Sequence, residues 1–390
     1  MIYLDNAATA PVKRGAYEKM LPYLTKYYGN PASICGFAKK SHDAMEYART
    51  QCASLIGASK DEIYFTSGGT ESDNWALKGA AEALKHKGNH IITTKIEHNA
   101  ILATCKSLEN NGFKVTYVDV DEYGRVNPSD IHKAITSDTI IISVMMANNE
   151  IGTIQPIEKI GKIARSKGIW FHTDAVQACG HIDIDVDKLY IDMLSASGHK
   201  FGGPKGIGFL YIRKGINLPA FISGGGQESG KRSGTGNVAS VVGMGEAANI
   251  CKTNLTRYKK YMTELRDYAI KRILNEIPFV KLNGHRLERL PGNMNFSFQY
   301  VDGGRLLTAL DRAGVCASAG SACSAKNKIS SHVLRHIGLS DDMAHGTLRL
   351  SLSEENTRQE IDTAINIIKT SVYKIRESDV SYNEIKREYR

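Results

Sequence analysis

A chain of 390 residues, 42% apolar and 23% charged, has the length of two or three domains and enough apolar side chains for a large core. It opens Met1-Ile2-Tyr3-Leu4-Asp5 rather than with a basic-then-apolar leader, and no apolar run nears the roughly 18 residues of a membrane span, which predicts a cytoplasmic protein with no membrane contact. The net charge of +9 is spread evenly among acids, which suits anionic small molecules and argues against direct nucleic-acid binding. Seven scattered cysteines without a C-x-x-C pair indicate neither a zinc site nor a disulfide framework.

Short β-branched or apolar runs alternate with helical patterns along the first two thirds of the chain. Strands are predicted at 62–65, 91–94, 115–120, 140–146, 170–173, 193–196 and 208–212, with amphipathic helices such as 73–85 and 157–166 between them. This alternation predicts an α/β fold with a mainly parallel seven-stranded sheet. Ligands of such sheets bind at the carboxyl ends of the strands, and every motif below follows a predicted strand. After Gly224-Gly225-Gly226 helical patterns dominate. Thr357-x-x-Glu360 reads as a capping box ahead of the stripe Ile361, Ile365, Ile368, Val372 and Ile375. The expected division is a large domain at 15–254, a smaller α+β domain at 255–390, and an N-terminal segment, 1–14, packing with the latter. Cys52 and Cys105 fall on apolar helical faces and Cys316 in an apolar run, so all three are expected in the core.

The chemistry-bearing residues come in the same order. Thr66-Ser67-Gly68-Gly69-Thr70-Glu71 opens a helix, where backbone N–H groups and the helix N-terminus suit an anion; a tight turn with an ordinary cap gives the same pattern. Glu97-His98-Asn99 offers an imidazole for stacking on a planar ring or for proton relay, or a structural histidine. Asn148-Asn149-Glu150-Ile151-Gly152 suits hydrogen bonding to ring substituents or a plain turn. Asp174 closes an apolar strand, where a carboxylate is costly unless paired; a pyridinium nitrogen is one such partner, and Gln177 lies three residues on. The Asp can also cap the element that follows.

Ser195-Ala196-Ser197-Gly198-His199-Lys200, before Gly202-Gly203-Pro204-Lys205-Gly206, sets an amine among small residues with hydroxyl and imidazole groups for an anion. Such an amine can join an aldehyde while its neighbours hold a phosphate, as in pyridoxal phosphate (PLP) sites. Ala317-Ser318-Ala319-Gly320-Ser321-Ala322-Cys323-Ser324-Ala325 carries a thiol amid residues too small to pack a core, so the segment is expected to be mobile and its thiol accessible. Arg349 alternates with apolar residues, as a guanidinium gripping a carboxylate or as a surface group on a half-exposed strand.

Taken together these motifs resemble the NifS/IscS-type cysteine desulfurases, fold-type I PLP enzymes of the class V aminotransferase group. The resemblance runs from Tyr3-Leu4-Asp5-Asn6-Ala7-Ala8-Thr9 to the Arg349 strand. It includes Gly29-Asn30-Pro31-Ala32-Ser33, Thr70-Glu71-Ser72, Glu97-His98, Asn148-Asn149-Glu150-Ile151-Gly152, Ser197-Gly198-His199-Lys200, Arg232-Ser233-Gly234-Thr235 and Gly320-Ser321-Ala322-Cys323. It implies that Lys200 is the Schiff-base lysine, Asp174 the partner of the pyridine nitrogen, and His98 the ring-stacking acid/base. It likewise implies that Gln177 and Asn149 contact the ring oxygen and its surroundings, and that Gly69, Thr70, Ser197 and His199 hold the phosphate. Thr235 matches a contact delivered across a dimer interface, which implies a homodimer. Asn30 and Arg349 match the substrate-carboxylate grips, and Cys323 the persulfide-forming nucleophile.

The implied reaction takes L-cysteine to L-alanine and sulfur to a protein acceptor, for iron–sulfur clusters or for thio-modification of tRNA or cofactors. No intrinsic metal is expected, Cys323 serving at most as a transient iron–sulfur ligand with a scaffold partner. The segment from Cys323 to Val333-Leu334-Arg335 resembles the flexible-loop branch of that family. Gly69 stands where some members carry Ala, a departure expected to be harmless, and the chain ends about forty residues after Arg349, short of the longer tail of some members, which leaves scaffold docking open. A related PLP lyase or aminotransferase, such as a selenocysteine lyase, and a PLP-free scaffold are the competing readings.

Overall fold

The computed structural model describes residues 1–319, 331–379 and 382. Among them is a seven-stranded sheet built from β1 (Ile63–Thr66), β2 (His90–Thr94), β3 (Lys114–Val118), β4 (Thr139–Ser143), β5 (Trp170–Asp174), β6 (Met193–Ser197) and β7 (Gly208–Ile212). Its order is β1-β7-β6-β5-β4-β2-β3, and β7 runs antiparallel to both of its neighbours while the remaining pairs are parallel. The mainly parallel sheet expected from the alternation is therefore present. β4 ends at Ser143 rather than at 146 because its edges part company there. Val144 and Met146 still donate to His172 and Asp174 of β5, but the N–H of Met145 on the other edge is taken by the carboxylate of Glu97.

Helices cover both faces. On one side α1 (Arg14–Thr25), α2 (Gly36–Ile56) and the first half of a 39-residue helix, Val238–Glu276, bury Met45, Cys52, Ile56 and Met244 against Phe171, Leu194 and Phe209. On the other, α3 (Gly69–Leu84) and α4 (Asn99–Glu109) bury Trp75, Leu77, Ile101 and Cys105 against Ile91, Ile141 and Leu210. Strands sandwiched this way are apolar on both sides, which is why they read in the sequence as continuous runs rather than alternating ones.

The long helix runs without a break through position 254/255. Its residues up to Cys251 belong to the first core, and from Leu265 onward to a second. That second core lies between a three-stranded antiparallel sheet, β8 (Val280–Asn283), β9 (Asn293–Phe298) and β10 (Thr347–Ser351), and the helix Arg358–Arg376. The helix begins in the expected capping box: Glu360 N–H donates to Thr357 at 3.2 Å and Thr357 N–H to Glu360 at 2.8 Å. Leu4 joins this core, Ile2 and Tyr3 pair with Val315 and Cys316, and Asp5 bridges to Ser351. Cys316, expected in the core, is only half-buried. Side chains alternate along a strand, so with Val315 turned inward its neighbour faces out. Phe296 lies at the centre of this core with no exposed surface. Phe296→Ala should cost about 3–5 kcal/mol, read as a lower urea midpoint with little change in slope.

Candidate active site

Five strands of the large sheet end on one edge, and the end of each or the segment after it brings side chains into a common cavity of about 210 Å³. From β1 come Gly69 and Thr70; from β2, His98; from β4, Met145, Ala147 and Asn149; from β5, Asp174, Val176 and Gln177; from β6, Ser197, His199 and Lys200. Ala7 and Ala8 of the N-terminal segment and Arg349 of β10 complete the wall. Sequence motifs separated by more than a hundred residues thus meet because parallel strands expose their carboxyl ends on one edge.

Lys200 sits on a single helical turn, Gly198–Lys200, straight after β6. Its amine donates to the carbonyl oxygens of Ala7 at 2.7 Å and Ala8 at 2.8 Å, and Gln177 also donates to Ala7 O, at 3.0 Å. Asp174 is 5% exposed and accepts from the N–H of Val176 at 2.9 Å, so it caps the following turn as well as facing the cavity. Burial raises its pKa, and His98, the Val176 N–H and Lys200 pull it back. His98 caps α4, its Nδ1 accepting from Ala100 N at 3.2 Å. His199 is pushed down to about 4 by burial and by the charges of Lys200 and Lys205, so it is a neutral imidazole, 3.1 Å from the Thr9 hydroxyl. Arg349 is 2% exposed. It donates to Asp5 at 2.7 Å and to the carbonyl of Asn149 at 3.0 Å, which decides against a surface role. Of the two adjacent amides, Asn148 is fully committed to the turn through Ile96 O, Glu150 N and Ile151 N, leaving Asn149 to face the cavity.

Two expected residues do not line this cavity. Asn30 and Thr235 line a larger one, of about 510 Å³, shared with Arg49, Glu228 and Arg232. There Asn30 accepts from Ala32 N at 3.0 Å and does not meet Arg349. Cys323 lies outside the described residues. Three residues went unassigned from the sequence. Asp5 holds Arg349; its only signal was a place in the Tyr3–Thr9 stretch that carried the resemblance but had no role there. Asp73 is a buried acid on α3, signalled by a charge on the apolar side of that helix. Glu97 is 1% exposed and takes the Thr94 hydroxyl and twice the Met145 N–H; no pattern of neighbouring residues marks it, rather than the adjacent His98, as buried.

A half-buried amine, a buried carboxylate and a ring of hydroxyl, imidazole and backbone donors define a site for an aromatic aldehyde that carries an anionic group. Over residues 2–363 the chain matches aminotransferase class-V, and it belongs to that family. It is similar to "Cysteine desulfurase IscS" of Methanosarcina thermophila, 50% identical over 96% of this chain and 93% of that protein. The protein of the same name from Dictyoglomus turgidum is 49% identical over 96% and 95%. Among solved structures, a NifS-like protein superposes with a TM-score of 0.90 at 39% identity, covering 95% of this chain and 99% of that one. "SspA in complex with cysteine" superposes at 0.81 with 38% identity, covering 92% and 100%. The cofactor is pyridoxal 5'-phosphate, and the residues present fit it. Asp174 is an acid whose pKa burial raises, a cost that a protonated ring nitrogen would offset.

The Gly69 position is tighter than expected. A Cβ there would lie 2.6 Å from Cγ2 of Val176, a stiff β-branched side chain that also lines the cavity. Gly69→Ala should weaken cofactor retention by roughly tenfold, measured by dilution of the holoenzyme, with kcat at saturating cofactor little changed. Glu97 is pushed by burial up to about 8 from 4.5. A raised folded-state pKa gives stability that is full below the unfolded value and is lost as pH rises through the folded one. Glu97→Gln should therefore gain in Tm over the wild type progressively as pH climbs from about 5 to about 9.

Proposed function

We propose that the protein takes the sulfur of L-cysteine onto Cys323 as a persulfide, releases L-alanine, and passes the sulfur to an acceptor protein. The enzyme is a cysteine desulfurase, and the observation that carries the residue assignment is the meeting of Lys200, Asp174, His98 and Arg349 in one cavity. When bound, pyridoxal phosphate supplies a protonated ring that draws charge from the substrate's Cα. Lys200 holds its aldehyde carbon, Asp174 its ring nitrogen, and Gln177 and Asn149 its ring oxygen and the surroundings. Gly69, Thr70, Ser197 and His199 hold its phosphate, where a neutral His199 donates one hydrogen bond without adding charge. Arg349 fixes the substrate carboxylate, a bidentate partner for a buried guanidinium. The Lys200 amine and the His98 imidazole move protons at the substrate's Cα and sulfur. The Cys323 thiolate attacks that sulfur; the S–S bond forms as the C–S bond breaks, and the electron pair and a proton end on the carbon that becomes the alanine methyl.

The working unit is a homodimer. Tyr17, Leu21, Leu24, Tyr28, Ile34 and Phe37 are exposed on and around α1 and α2, an apolar surface that water does not favour. The larger cavity that holds Thr235 and Asn30 is lined by α2 too, so a second copy on this face would bring Thr235 toward its neighbour's phosphate site. The setting is the cytoplasm, where the cysteines stay reduced; six are free among the described residues, where no helix is long and apolar enough to cross a membrane. Incubation with L-cysteine and a reductant should give sulfide and alanine in equal amounts. Cys323→Ala and Lys200→Ala should each lose about a thousandfold or more of that rate. Retained turnover of cysteine by Cys323→Ala would point instead to a lyase without a persulfide.

A further inference from the structure

The floor of the cavity holds a second acid. Asp73, one turn into α3, is 1% exposed, and a carboxylate oxygen of Asp73, one of Asp174 and a ring nitrogen of His98 lie within 4.8 Å of one another. Asp174 has the Val176 N–H at 2.9 Å and the charge of Lys200. Asp73 has neither a backbone N–H nor a lysine among the groups acting on it. Its Oδ1 makes no hydrogen bond among the described residues, and the Ser195 hydroxyl is its polar neighbour. Behind it runs a buried chain: Ser195 Oγ is 3.0 Å from His172 Nε2, and His172 Nδ1 is 2.9 Å from Ser143 Oγ. His172 Nε2 is also 3.7 Å from Asp73, but burial holds that ring down to about 3, so no cation stands there. Glu97, the third buried acid, is itself pushed by burial up to about 8, so near neutral pH it brings no counter-charge to the region.

We propose that Asp73 is a positioning residue that remains a neutral acid beside Asp174, leaving Asp174 the single negative charge that meets the cofactor's ring nitrogen. The inference rests on the reading of Asp174 given above. Two buried carboxylates this close do not both ionise, and the one with fewer donors keeps the proton. Burial and the charge of Asp174 both act on Asp73 in that direction. A neutral Asp73 spares the site a second negative charge beside Asp174.

The infrared difference between wild-type holoenzyme and Asp73→Asn at neutral pH tests this. A neutral carboxylic-acid carbonyl band should vanish in the variant; loss of carboxylate bands alone would overturn the proposal. Asn copies a neutral acid in shape and hydrogen bonding, so Asp73→Asn should lose less than about threefold in kcat/KM while Asp73→Ala, which leaves Ser195 facing a void, loses about tenfold or more. Equal losses would overturn it too. Asp174→Asn separates the two readings: it should shift the absorbance of the bound cofactor. An unshifted spectrum removes the ring-nitrogen role of Asp174, and with it the purpose assigned to Asp73, whatever the infrared band reports.

Discussion

The ion pair between Arg349 and Asp5 is the contact on which the arrangement of this protein turns. A guanidinium with 2% of its surface exposed cannot be left unpaired, and its partner lies 344 positions away on a segment of a few residues. Pairing them fixes the N-terminal segment against β10, and the hydrogen bond from Arg349 to the carbonyl of Asn149 fixes both to the rim of the large sheet. Once Asp5 is placed, the carbonyls of Ala7 and Ala8 follow, and these receive the amine of Lys200. One buried charge therefore joins the two cores and shapes the wall of the site between them.

The same economy governs the strand ends. A parallel sheet leaves its last backbone and side-chain groups on one edge, where neighbouring strands no longer satisfy them. In this chain those groups are unusually acidic for their depth: Asp73, Glu97 and Asp174 all lie within the protein, and His172 beneath them is neutral. Such a cluster would be a liability in a purely structural core. Here Glu97 is consumed by the Met145 N–H and Thr94, and Asp174 by a backbone N–H and a cavity that carries Lys200 and His98. The electrostatic demand of the floor is what makes a cationic ring nitrogen welcome there.

Much of the fold was readable in order along the chain. β7 matches its predicted span residue for residue, as does the helix Ile157–Ser166, because continuous apolar runs and a sharp amphipathic period leave little choice. The capping box at Thr357 is equally local. Where the prediction overran, as at β4, the reason was a distant carboxylate claiming one backbone N–H, which no window of neighbouring residues contains. Lys200, Asp174, His98, Gln177 and Ser197 could be picked out because each follows a strand, and strand ends are where an α/β sheet binds. Glu97 could not, because its significance is burial, and burial is a property of what packs on top; Asp5 could not, because its partner lies 344 positions away, and Asp73 showed only as a charge on the apolar side of its helix.

By itself the sequence determined the strands, the helices, the order of the motifs and the residue types able to grip a phosphorylated aldehyde, since all of these depend on neighbours a few positions apart. Tertiary structure alone decided that Asn148 braces a turn while Asn149 faces the cavity, that Gly69 has no room for a methyl group beside Val176, and that Asn30 and Thr235 stand apart from Lys200 within one chain. It also decided which of three acids faces which donor. Those outcomes are set by distances between segments more than a hundred residues apart, and a chain carries no record of such distances until its cores have closed.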